Sequence, residues 1–186
     1  GDIHVSEKDY RLADQSYRQA LKVRGAIGDS RGQAASYLNL ADLHQTLAEE
    51  NKAISFYQYA LDLQRNSEDL LPYAETQVEL AELYRKNGQP EAAGSALDEA
   101  LNVAKDNDDD FLQAEVYLQL GDVARQVNNY NRSQQHYDKA LDLYNALDAR
   151  EREGDAMLRM AELAERMADY DRANIVYDEA LSVVRD

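Results

Sequence analysis

Residues 56–63 read FYQYALDL, and the same frame returns as SYRQALKV at 16–23, ALDEALNV at 96–103, HYDKALDL at 136–143 and VYDEALSV at 176–183. Each copy starts 40 residues after the last, without insertion or deletion. Ala20, Ala60, Ala100, Ala140 and Ala180 therefore form one column, and Leu21, Leu61, Leu101, Leu141 and Leu181 the next. A constant period of this size marks stacked repeats, in which each unit buries its apolar face only against its neighbours.

One period shows what the unit is. From Ala34, apolar residues at Tyr37, Leu38, Leu40, Ala41 and Leu43 fall at helical spacing and predict a helix to about Leu47. A break at Ala48-Glu49 follows, and then a second helix turns Ala53, Ile54, Tyr57, Ala60, Leu61 and Leu63 inward. Later copies break at Asn87-Gly88-Gln89-Pro90, Asn128-Asn129 and Ala168-Asp169. Gly and Asn accept the left-handed backbone of a tight turn, and Pro suits a first helical turn. Between periods, Gly28-Asp29, Ser67-Glu68-Asp69, Asp108-Asp109-Asp110 and Asp148 read as N-caps of the helix that follows.

These slots carry a family resemblance. Tyr37, Leu40, Ala41, His44, Ala53, Tyr57 and Ala60 resemble the tetratricopeptide pattern, as do Gln77, Leu80, Ala81, Tyr84, Ala93, Leu97 and Ala100. Tyr117, Leu120, Gly121, Ala124, Ser133, Tyr137 and Ala140 form the third copy, and Met157, Met160, Ala161, Ala164, Ala173, Tyr177 and Ala180 the fourth. The closing proline is replaced by Arg65, Lys105 and Asn145, so the second helix is expected to run on by a turn. The period is similar to that of the long-repeat branch containing the Leu-Gly-Asn scaffolds and bacterial sensor arrays. The resemblance implies an all-α, right-handed superhelical solenoid of antiparallel helix pairs. One array is expected over residues 1–186: a partial repeat at 1–29, then full repeats at 30–69, 70–109, 110–149 and 150–186. Gly1-Asp2 fall in register with Gly121-Asp122, and the chain stops as a helix finishes, so a piece of a longer protein is expected.

Composition narrows the partners. The formal charge of −16 is spread unevenly: residues 1–65 carry nine acids against eight bases, and each of the three following blocks (66–105, 106–145, 146–186) nets −5. Such a surface repels nucleic-acid phosphate and anionic lipid. With no cysteine there is no disulfide, thiol nucleophile or thiolate metal site. No apolar run or signal-peptide pattern is evident, and a cytoplasmic setting is favoured over the periplasm without being decided.

In tetratricopeptide arrays the first helices line a concave, partner-binding groove. Carried onto this chain, the resemblance implies three groove columns: Asn39, Glu79, Gln119 and Arg159; Asp42, Glu82, Asp122 and Glu162; Gln45, Arg85, Arg125 and Glu165. The middle column, an acid in every repeat, would attract a basic or amide-rich segment. Equally, Glu82 with Arg85 and Asp122 with Arg125 sit three apart and can pair on the helix surface. The Leu-Gly-Asn scaffolds have Asn where this chain has those acids, and the chaperone-tail clamp of Lys and Asn is missing.

Other candidates fail on spacing. Counting from Asp106, a calcium loop would need Gly and Glu where Phe111 and Tyr117 stand. His4, His44 and His136 form no i, i+4 pair, and His44 reads as semi-buried packing in the slot of Tyr84. No phosphate loop or nucleophile elbow is present, so neither catalysis, a metal nor a cofactor is expected. Tyr17, Tyr57, Tyr137 and Tyr177 are read as one core column and Tyr10, Tyr130 and Tyr170 as another, with Tyr59, Tyr73 and Tyr144 out of register and exposed. Three functions are expected as alternatives: a scaffold gripping a peptide or protein segment with basic residues; a sensor domain of a larger signalling protein; or self-association through uncovered end repeats.

Overall fold

The computed structural model describes residues 7–185, with side chains over 9–183; Gly1-Asp2 and His4 lie outside them. The described residues form nine helices and no strand: α1 (Glu7–Ala26), α2 (Ser30–Thr46), α3 (Glu50–Gln64), α4 (Leu71–Lys86), α5 (Pro90–Asp106), α6 (Asp110–Gln126), α7 (Tyr130–Ala146), α8 (Arg150–Arg166) and α9 (Tyr170–Arg185). The fold is an all-α helical repeat. None of the described helices is long and apolar enough to cross a membrane. The chain divides into two compact units, Gly1–Thr76 and Gln77–Asp186.

In the first unit α2 packs against both α1 and α3. Ala41 and Ala53, the small residues at the predicted helix approach, are fully buried, and Tyr57 fills the space below them. Arg24 ties α1 to α2, its Nη1 donating to Gly32 O at 2.9 Å and Ser36 Oγ at 2.7 Å. His44 is buried as expected, but it is more than packing. Its Nε2 faces Asp14 Oδ1 at 3.3 Å, its Nδ1 faces Glu49, and its ring stacks on Phe56 at 5.2 Å.

In the second unit α6 packs on α7 and α8 on α9. Gly121 explains the small-residue rule: a Cβ there would lie 2.2 Å from Tyr137 Cε1. Ser133, also fully buried at the facing small position, donates its hydroxyl to Gly121 O at 2.8 Å. Around this contact Leu118, Tyr137, Ala140, Tyr144, Ala156 and Leu163 form a continuous core.

Seven of the eight connections share one closure. Gly28, Ala48, Gly88, Asp108, Asn128, Asp148 and Ala168 each take a left-handed φ of 52–72°. The next residue's N–H then reaches back to a carbonyl of the last turn, as Glu49 N does to His44 O at 2.8 Å and Ala149 N to Tyr144 O at 2.9 Å. This is the Schellman closure of a helix C-terminus. It corrects the reading of Asp148, which occupies the left-handed position; the N-cap of α8 is Ala149, with no side-chain bond. Asp29 and Asp109 do cap α2 and α6, accepting from Gly32 N and Leu112 N. The exception is the connection 65–70, which has no left-handed residue and is held by Asp69 Oδ1 accepting from Leu71 N at 3.2 Å.

Three tyrosines depart from expectation. Tyr73 and Tyr144 are buried, the first with its hydroxyl 3.2 Å from Arg65 Nη2, the second edge-on to Phe111 at 5.9 Å. Tyr170, placed in the core by register, opens α9 and is 63% exposed.

Ala48→Gly and Ala168→Gly relieve a left-handed alanine at exposed sites, and each is expected to raise stability by about 0.5–1 kcal/mol in urea unfolding. Gly121→Leu is expected to cost at least about 2 kcal/mol, because the Tyr137 ring has to leave its place.

Candidate functional site

The three polar columns lie on the first helices. In the first unit Asn39 and Asp42 are exposed and Gln45 is half-buried. Tyr57 Oη donates to Asp42 Oδ1 at 2.8 Å and lies 3.3 Å from Gln45 Oε1, so the core tyrosine fixes two candidate side chains from beneath.

In the second unit the same device is elaborated into a network. The Asp122 side chain is only 2% exposed. Tyr137 Oη donates to its Oδ1 at 2.6 Å, Arg125 Nη2 to the same oxygen at 3.0 Å, and Arg159 Nη1 to Oδ2 from the next first helix. Arg125 then reaches forward through Nη1 to Glu162 Oε2 at 2.5 Å. Burial pushes the Tyr137 phenol up, keeping it a donor, and pushes the Arg159 guanidinium below its ordinary value, against the pull of Glu82.

Glu82 has no tyrosine beneath it, because position 97 is leucine. It is held instead by Arg85, both bonds at 2.7 Å, and by Lys86 at 3.3 Å. Burial alone would raise its carboxyl, but the hydrogen bonds from Arg85 and then Lys86 hold it below the usual range. Gln126 Nε2 donates to Arg85 O at 3.1 Å, joining α6 to α4.

The columns are therefore not a ladder of bare acids. Glu82 pairs with Arg85 and Asp122 with Arg125, as their spacing allows, and three carboxylates meet three guanidinium groups. Glu79, Glu162 and Glu165 are exposed and Gln119 is half-buried. Sequence reasoning missed the bond between the tyrosine column and the acid column. Its signal was Tyr rather than Phe fifteen residues after an acid, at 42–57 and 122–137, a spacing that Glu162 and Tyr177 also have. It also missed that Arg159, the one base in a column of Asn, Glu and Gln, bonds to Asp122 across two first helices.

Among the described residues no group of three His, Asp or Glu is placed to hold a metal ion. Asp109 of the acidic run is occupied as an N-cap. A separate cleft of about 530 Å³ on the α5–α7 side includes His136. Arg132 Nε donates to His136 Nε2 at 3.2 Å, and the ring stacks on Tyr117 at 6.0 Å. Burial first, then the nearby Arg132 and Lys139 charges, push the His136 imidazole down to about 4.

Comparison with known sequences names the repeat. One tetratricopeptide-repeat model matches residues 72–146 and 112–186, and another matches 1–26 and 34–67. The chain belongs to the tetratricopeptide-repeat family. Repeats of this family serve as protein–protein interaction or regulatory scaffolds and are generally non-catalytic. No curated protein sequence matches this member. Among solved structures, BtubC (BKLC) from P. vanneervenii superposes with a TM-score of 0.82 at 23% identity, over 98% of this chain and 74% of its own. The apo form of RapI gives 0.85 at 16% identity over 95% of this chain, which spans 49% of RapI. A signal-transduction ATPase with a tetratricopeptide-repeat sensor, PH0952 from Pyrococcus horikoshii, gives 0.77 at 18% identity over 95% of this chain and 30% of its own. At these identities the likeness bears on the fold alone.

Asp122→Ala leaves two guanidinium groups and a buried phenol without their acceptor, and is expected to cost about 2–4 kcal/mol in urea unfolding. Glu162→Ala, whose carboxylate is half exposed, is expected to cost below about 1 kcal/mol. Because His136 is neutral when folded and binds a proton near pH 6.5 when unfolded, its stabilisation is complete above about 6.5 and lost as pH falls toward 4. His136→Gln is expected to flatten the fall of Tm across that window, leaving the carboxylate-driven loss at lower pH.

Proposed function

We propose that residues 77–186 grip a peptide or protein segment along the face carrying Gln119, Asp122, Arg125, Arg159 and Glu162, and that the chain acts by this contact rather than by catalysis. The observation that carries the reading is the buried Asp122 carboxylate, which holds Tyr137, Arg125 and Arg159 in fixed directions. A guanidinium has five N–H donors. Arg159 commits Nη1 to Asp122 while 36% of its side chain stays exposed, so donors remain for the carbonyls of a partner. Rigid arginines lose little freedom when a partner arrives, which favours binding. The charge balance of the cluster favours a segment of mixed polarity over a uniformly basic one.

The test uses a random peptide library displayed on phage and selected on the whole chain. A variant with Glu79, Gln119, Glu162 and Glu165 changed to lysine serves as the comparison, its helicity checked by circular dichroism. Selected peptides are expected to bind the parent chain at least about tenfold more tightly, a difference of about 1.4 kcal/mol. Equal affinity for both chains rules this face out.

A second reading, a sensor array within a larger signalling protein, draws on the likeness to RapI and PH0952, of which this chain spans 49% and 30%. Under it the same face takes a small or peptide effector, and binding changes the protection of α6 and α8 amides from hydrogen exchange beyond the contacted residues.

A further inference from the structure

The irregular connection 65–70 borders a cavity of the first unit. Eighty residues on in the same register, the rings of Phe111 and Tyr144 pack edge-to-face, with Tyr144 fully buried. The positions equivalent to these are Arg31 and Gln64. In place of two rings there is a cavity of about 550 Å³, lined by Arg31, Leu38, Leu63, Gln64 and Pro72, with Asp62 and Asp69 at its edge. This volume is in the range of pockets that hold small molecules or single side-chain clusters.

Gln64 makes the cavity more than a packing fault. It is 9% exposed, yet its Oε1 has no hydrogen-bond partner. A buried amide oxygen left unpaired is costly and is rare in folded proteins. The corresponding position is Ala104 one repeat later and Tyr144 the next, both buried, and the Tyr144 hydroxyl is likewise buried without a partner. The helix adapts as well: α3 stops at Gln64, whereas α5 and α7 continue two residues further in register, to Asp106 and Ala146.

We infer that this cavity binds a cationic aromatic group whose ring carries a hydrogen-bond donor. The ring takes the volume that Tyr144 fills in its own repeat. Its N–H or O–H donates to Gln64 Oε1. Its face lies against the Arg31 guanidinium, which stacks on aromatic planes. Its amine meets Asp62 and Asp69 at the edge. A free aromatic amine and an aromatic residue beside a basic one in a peptide share this chemistry. The site lies within residues 30–72 and does not depend on the peptide-gripping face proposed for residues 77–186.

The chain has no tryptophan, so an indole probe can be followed by its own fluorescence. Tryptophanamide and the capped peptide acetyl-Lys-Trp-Lys-amide are titrated with the whole chain. Gln64→Ala is expected to weaken binding about fivefold through loss of the acceptor. Gln64→Tyr, which supplies the ring found at 144, is expected to weaken it at least about tenfold without lowering Tm, since it fills the cavity. Binding of the amide alone assigns a free amine and binding of the peptide alone assigns a residue in a chain. Either supports the site when Gln64→Tyr removes it. Binding of neither probe at millimolar concentration, or binding indifferent to Gln64→Tyr, overturns it.

Discussion

The close approach of two helices at a column of small residues is the constraint on which each repeat depends. At Gly121 there is no room for a Cβ, and Ala41, Ala53, Ala161 and Ala173 are buried at the equivalent and facing positions. Once the backbones are that close, the aromatic at 57 or 137 is forced across the seam, and its hydroxyl emerges on the far side beneath an acid of the first helix. The side chains facing a partner are thus oriented from within the core. A polar group positioned by a buried tyrosine has fewer conformations to lose than one oriented by solvent alone.

The acid column illustrates how one slot takes different roles according to what lies below and beside it. With tyrosine below and an arginine arriving from the following repeat, Asp122 is buried and organises three side chains. With leucine at 97, Glu82 has only its own helix to turn to and pairs with Arg85 and Lys86. Glu162 stands half exposed at the end of the chain of contacts. Four acids spaced at one period are chemically four different groups.

Much of the fold could be read from columns, because a repeat states its core several times. The helix pairs, the small-residue seam and the burial of Tyr57 and Tyr137 all appear in the spacing. The reading faltered where a column changes character between repeats. Tyr144 shares its register with Gln64 and Ala104, and the alanine was the clue that this is an interior position. Tyr170 obeys the register of a core residue, yet it is exposed on α9, so pattern alone did not decide its burial. The left-handed backbone at Ala48, Asp108, Asp148 and Ala168 was also hidden, since none of these is glycine. There the closure is imposed by the return of the chain onto the previous helix rather than by local preference. On the candidate face the columns themselves were legible. The cross-helix partners were not, because Arg159 and Asp122 are 37 residues apart and no short-range rule links them.

The balanced cluster around Asp122 separates two properties that usually change together. The chain carries a formal charge of −16, but three guanidinium groups offset the three carboxylates at the cluster, so the excess resides elsewhere on the surface. Charge spread over the surface acts at a distance and governs how fast a partner arrives, an influence that salt screens. The cluster acts at contact, through directed bonds to partly buried groups, and governs how long a partner stays. Encounter and residence are thus assigned to different residues, and each can drift in sequence without altering the other.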